Sequence, residues 1–302
     1  MTAADNLGDA TTPLPVPRQD RLRAALWMIG SQAAFALMAV LARGASRGAR
    51  WQELAAFRFL GGLLVAGVAG LYWGSKTTPF LSGARDKRAL LARASFGTLA
   101  ALGTFYTLHS PDISLGDATT LFAMSPFFVA LLAPVVLSER FRPRVGVALL
   151  IAAVGVGIVA KPTFDTAPNL VAAASSSAFW SACAMMALRL ASTGESPESI
   201  AFFFHLMGLC VLGPMAAFAW SFPSNTTMLT LLLAGVSGGV AQLMMTRAYA
   251  LDLATRVSVF GYSGVLFTRI AGALVFGERF GAREMVGTAA VVVAGIVLTA
   301  RP

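Results

Sequence analysis

Residues 118–162 read "ATTLFAMSPFFVALLAPVVLSERFRPRVGVALLIAAVGVGIVAKP", and residues 259–302 read "VFGYSGVLFTRIAGALVFGERFGAREMVGTAAVVVAGIVLTARP". Each has an apolar run of helix length, the tripeptide Glu-Arg-Phe, a basic residue three positions after the Phe (Arg144, Arg283), a Gly-dotted apolar run and a closing Lys-Pro or Arg-Pro. The likeness extends upstream: "QELAAFRF" at 52–59 answers "PESIAFFF" at 197–204, and "ALW" at 25–27 answers "AFW" at 178–180. The chain is therefore a duplicated unit, and such a repeat constrains the architecture before any local reading does.

A hydrocarbon core of about 30 Å needs about 20 apolar residues in a helix. Runs of that kind fall at 23–43, 52–74, 89–109, 115–137, 143–160, 168–190, 198–220, 227–250, 255–277 and 284–300. That is five spans per copy. Five is odd, so the second copy enters the membrane upside down relative to the first. Inverted repeats of this kind build secondary transporters, in which two pseudo-symmetric arrangements open one midplane site to either side. The expected fold is an all-α polytopic membrane protein of ten transmembrane helices in two inverted five-helix repeats, 22–162 and 163–302, behind a disordered tail at 1–21.

Composition agrees with that reading. Apolar residues make up 57% of the 302, mean hydropathy is +0.72 and only 12% are charged, against about 25% charged in soluble domains. The net charge of +9 sits in short clusters between apolar runs, where it faces anionic lipid heads, so nucleic acid is not an expected partner. Cys183 and Cys210 fall inside apolar runs without CxxC spacing, which indicates neither a disulfide nor a metal site. No cofactor motif, HExxH or Walker lysine occurs, which argues against an enzyme. The remaining partners are membrane lipids and a small-molecule substrate; both monomer and homodimer stay open.

Orientation follows the Lys/Arg bias. With the N-terminus in the cytoplasm, basic residues that include Arg18, Arg21, Arg23, Lys87, Arg88, Arg93 and Arg256 fall on that side, Arg43, Arg47 and Arg50 fall outside, and Arg58, Arg247 and Arg269 lie within spans. Both termini are then cytoplasmic, in a bacterial-type inner membrane.

The Trp near the first span, "FRF" at 57–59, "DATTLFAMSPFFVALLAPVVLSERF" at 117–141 and "GERF" at 277–280 together resemble the drug/metabolite transporter superfamily, in its ten-helix EamA branch. The resemblance covers nearly the whole chain from about Leu22. It implies a bundle with helices 3, 4, 8 and 9 near the centre and helices 5 and 10 more peripheral, and its bacterial members include exporters of amino acids and related metabolites.

The candidate site residues lie on those central spans. Span four carries Thr120 and "SP" at Ser125-Pro126, and span nine carries "GYSG" at Gly261–Gly264 in the corresponding place. Breaks of this kind are tolerated in lipid only against protein or a cavity, so Pro126, Gly261 and Gly264 are read as hinges. Ser258, Tyr262, Val265 and Arg269, at spacings of four, three and four, share one face of span nine, and Arg269 is the candidate partner of a substrate carboxylate, with an anchor or structural partner as the competing reading. Gln242, Met245 and Tyr249 share a face of span eight, while Tyr106 and Trp180 offer rings for a planar solute or fill space. His205 is read as a packing or interhelical hydrogen-bond residue, and Arg58 and Arg247 as snorkelling ones. Glu139 and Arg140, with Glu278 and Arg279, are read as anchors in the two turns, each carboxylate facing the N-terminus of the helix that follows.

No carboxylate falls at midspan, which points to a facilitator or exchanger running on the substrate's own gradient. The functional expectation is an exporter of small metabolites, aromatic or other neutral amino acids foremost. An importer, exchanger or drug efflux carrier is the alternative within transport; a lipid-handling or structural membrane protein is the alternative outside it.

Overall fold

The computed structural model describes residues 17–73, 86–113, 118, 121–139, 143–160, 168–276 and 281–299. Its helices are α1 (Arg18–Ala45), α2 (Trp51–Trp73), α3 (Lys87–His109), α4 (Ser125–Val136), α5 (Pro143–Ala160), α6 (Pro168–Ala191), α7 (Pro197–Phe218), α8 (Asn225–Leu251), α9 (Ala254–Phe260), α10 (Ser263–Phe276) and α11 (Ala282–Thr299). α9 and α10 are two halves of one span, so these elements make ten spans. Six of them are long and apolar enough by themselves to cross a membrane.

Helix starts follow local chemistry. Asp86, Ser196 and Ser224 accept the backbone N–H three residues on, capping α3, α7 and α8. Proline opens α5, α6 and α7, where its missing N–H would have had no intrahelical partner. One expectation is corrected here. α1 begins at Arg18, inside the stretch read as tail, because Pro17 presets the entry and the acidic Asp20 sits in the first turn, which favours the helix dipole.

The two halves exchange under a pseudo-twofold operation, visible in which helices pack together. α1 lies against α8, and the equivalent pair in the other half is α6 against α3; α2 lies against α7, and α5 against α11. Exchanging the halves turns the first pair into the second and leaves the last two unchanged, so those lie on the pseudo-axis. Both members of the exchanged pair are joined the same way: Ser31 Oγ donates to the carbonyl of Ala241 at 2.7 Å and Ser177 Oγ to the carbonyl of Ala100 at 2.7 Å. Such interhelical bonds contribute about 0.6 kcal/mol each on average. α2 and α8 meet backbone to backbone, since a Cβ on Gly235 would strike the Phe57 carbonyl and one on Gly61 would strike Gly235 itself. Without a hydrophobic drive in lipid, close approach of this kind supplies the van der Waals attraction.

Leu71, Val135, Phe218 and Leu274 expose large apolar side chains, as a lipid-facing surface requires. α5 and α11 lie together at the periphery, as the resemblance implied.

Candidate functional site

Spans four and nine are both interrupted at equivalent places. In span nine the α-helical bonds give way to three-residue turns, Gly261 N–H to Ser258 at 2.9 Å and Tyr262 N–H to Val259 at 3.2 Å, before α10 begins. In span four Met124 N–H reaches back three residues to Leu121 at 3.1 Å before Ser125 opens α4. The interruptions face each other: a Cβ on Gly261 would come within 3.7 Å of Pro126 Cγ.

Beside them is a cavity of about 310 Å³, walled by α1, α3, α4, α6, α8 and α10, with smaller contributions from α2, α7 and α9. Most of its lining is apolar or aromatic. Among the described residues two charged side chains reach it, Arg58 from α2 and Arg93 from α3. Both are buried. The Arg93 guanidinium lies over the Phe204 ring, 4.2 Å from its centroid. It has that room because position 97 is glycine: a Cβ there would collide with Arg93 Nη1 and the Phe204 ring. Arg58, expected to snorkel, is instead buried in the bundle, its aliphatic stem lying against Gly238 of α8.

Arg58 Nη1 lies 2.7 Å from His205 Nε2, and His205 Nδ1 lies 2.7 Å from the Ala201 carbonyl. A carbonyl only accepts, so Nδ1 carries the proton and Nε2 accepts from Arg58. His205 is thus an interhelical hydrogen-bond residue, neutral in this arrangement. Phe204 and His205 are consecutive, so one turn of α7 supports both cations.

Two buried donors on this cavity have no hydrogen-bond partner, Arg93 Nε and Gln242 Nε2. An unpaired buried polar group costs about 1–3 kcal/mol, and both belong to residues that line the same cavity.

Of the residues singled out by sequence, Gln242, Met245, Tyr249, Ser125 and Ser258 line the cavity, as do Pro126, Gly261 and Gly264. Others lie elsewhere. Tyr262 is buried against Val145, Ala148 and Ala294 of the peripheral pair, and Arg269 does not line the cavity. Ser258 and Val265 of the expected common face do line the cavity, whereas Tyr262 lies within the tighter turns at Gly261–Tyr262 and so departs from the 3.6-residue period that the face assumed. Tyr106 is exposed, edge-on to Trp51 and accepting from Asn169 Nδ2 at 3.3 Å. Trp180 stacks on Phe96 with centroids 5.6 Å apart, which is the space-filling role. Thr120, Arg140, Glu278 and Arg279 lie outside the described residues.

Three further charges differ from expectation. Glu139 does not face α5; its carboxylate accepts from Ala254 N–H at 2.9 Å, Thr255 N–H at 3.2 Å and Thr255 Oγ1 at 2.9 Å, so the first repeat closes on the second at the start of α9. Arg93, counted among topology-setting charges, is buried in the bundle instead. Arg247 does not snorkel: it pairs with Glu198 at 2.7 Å and lies over Trp27. The signal that could have found Arg93 was the glycine one turn later, "RASFG" at 93–97, which leaves a long side chain space to lie along its own helix.

The EamA-like transporter family model matches residues 22–161 and again 168–301. A pseudopaline exporter, CntI, of Pseudomonas aeruginosa is 32% identical over 212 residues, 70% of this chain and 74% of that protein. A riboflavin transporter of Rhizobium johnstonii is 29% identical over 286 residues, covering 88% of this chain and 87% of its own. A solved crystal structure of a protein with 18% identity superposes with a TM-score of 0.76 over 92% of this chain and 97% of that one, which shows the fold. With two matches, one per five-helix half, and a relative above 30% identity, the chain belongs to the EamA-like transporter family, in the drug/metabolite transporter superfamily.

Proposed function

We propose that this chain is a secondary carrier of the bacterial inner membrane, both termini cytoplasmic, that exports small carboxylate-bearing metabolites, amino acids among them, by alternating access of the cavity between its repeats. The observation that carries the reading is the pair of unpartnered donors, Arg93 Nε and Gln242 Nε2, on residues of a cavity lined mostly by apolar and aromatic surface. A carboxylate supplies the missing acceptors, and the apolar wall suits a hydrocarbon body. In this reading Arg93, rather than Arg269, meets the carboxylate. The interruptions in spans four and nine are where backbone can bend beside the bound solute. The relatives named above are called an exporter and a transporter of organic metabolites, which supports the class of activity but not one solute.

The test is reconstitution. Purified protein in liposomes should move labelled amino or organic acids faster than empty vesicles do, and Arg93→Gln should reduce that flux at least tenfold while the protein still folds. Lipid transfer without solute flux would refute the carrier reading.

A further inference from the structure

Among the described residues that line it, the cavity holds two cations and no Asp or Glu. Elsewhere, among the described residues, half-buried Arg247 meets Glu198 at 2.7 Å and buried Arg256 meets Asp252 at 2.8 Å. Arg58 and Arg93 instead rest on an imidazole nitrogen and an aromatic face. Those contacts orient a guanidinium without cancelling its charge. The two supports are adjacent rings, Phe204 and His205, with centroids 4.9 Å apart, so both guanidiniums are held by one turn of one helix on one cavity. Buried charge in a membrane protein marks a solute path by default, and it is held there by its partner.

Resting on the carrier reading above, we infer that the transported species is a net anion with two carboxylates, a dicarboxylic acid or an acidic amino acid, and that the membrane potential drives its export. A single carboxylate leaves one guanidinium uncompensated. A neutral zwitterion is worse, because it adds an ammonium to the two guanidiniums and brings only one carboxylate to offset the three cations. A solute with two carboxylates gives each guanidinium its own partner and leaves Gln242, Tyr249 and Ser258 of the lining for the remaining lone pairs. Moving an anion outward is downhill in an inside-negative membrane. The cycle then needs no proton-carrying or sodium-binding carboxylate in the spans, which accounts for a cavity without one.

The experiment uses full-length protein in liposomes loaded with labelled succinate, glutamate or leucine, with potassium gradients and valinomycin setting the potential. Succinate, glutamate or both should leave at least tenfold faster than leucine, and an inside-negative potential should speed that efflux several-fold. Glutamate above succinate assigns an acidic amino acid; succinate above glutamate assigns a plain dicarboxylic acid. Arg93→Gln and Arg58→Gln should shrink the preference over leucine at least tenfold, and Arg93→Lys, which keeps the charge, should retain most of it and shows that the loss is not misfolding. Leucine flux equal to or above both dicarboxylates, or dicarboxylate flux indifferent to potential, overturns this inference and leaves the carrier intact. No flux of any of the three above empty vesicles overturns both.

Discussion

Removing the Glu139 carboxylate should loosen the closure between the repeats at the start of α9. Ser138, with φ of 53°, turns the chain sharply after α4 and aims Glu139 across the repeat boundary; the equivalent residue in the second copy is Gly277, the type that favours this conformation. The carboxylate is buried and accepts three hydrogen bonds, two from backbone N–H groups of Ala254 and Thr255 that have no intrahelical partner. A hydrogen bond to a charged group contributes about 1.5–3 kcal/mol, and each buried donor left alone costs about 1–3 kcal/mol. These overlap, and water entering the opened site recovers part, so Glu139→Ala should cost about 3–5 kcal/mol and Glu139→Gln, which keeps one acceptor oxygen, about 1–3 kcal/mol. The first assay is thermal unfolding in detergent, with a drop in Tm on the order of 5 °C or more for Glu139→Ala. The second is alkylation of a cysteine placed at Leu253, which should speed several-fold in the Glu139→Ala background. A double cycle with Thr255→Val should give a coupling of about 1–2 kcal/mol. Unchanged Tm together with unchanged alkylation would refute the reasoning, because a buried three-bond contact cannot vanish from both measures.

Two further outcomes test how the cavity and its surroundings are built. Gly97→Ala places a methyl where Arg93 Nη1 and the Phe204 ring now lie; with expression and Tm near wild type, KM for the transported acid should rise about tenfold, about 1.4 kcal/mol of binding, and an unchanged KM would remove Arg93 from the site. Glu198→Gln strips the carboxylate from Arg247, whose partner it is at 2.7 Å; with Glu198 nearly fully buried, the loss should be about 1–3 kcal/mol in stability, read by thermal unfolding, while transport selectivity stays as it was.

Much of the fold was legible because membrane spans are written in composition: every backbone polar group must bond within its own helix, so length and apolarity suffice to mark one. The duplicated Glu-Arg-Phe segments then supplied the pairing of halves, and the structure pairs α1 with α8 and α3 with α6 as that symmetry requires. The candidate site was legible only where the local period held. On α8, an unbroken helix, Gln242, Met245 and Tyr249 reach the cavity together. Across Gly261–Tyr262 the period changes and Tyr262 turns to the peripheral pair.

Arg93 and Glu139 were hidden for a different reason. Their partners, Phe204 and Ala254–Thr255, are more than 100 positions away in the chain, and an arginine near a span end has the same local appearance whether it meets lipid heads or an aromatic face. Sequence alone determined that this is a duplicated, inverted, ten-span membrane protein, because hydropathy and repeat parity are properties of the chain read in order. Which charges enter the cavity, and that Glu139 caps the other repeat, were decided only by the tertiary structure, because burial and neutralisation of a charge depend on what the fold brings beside it.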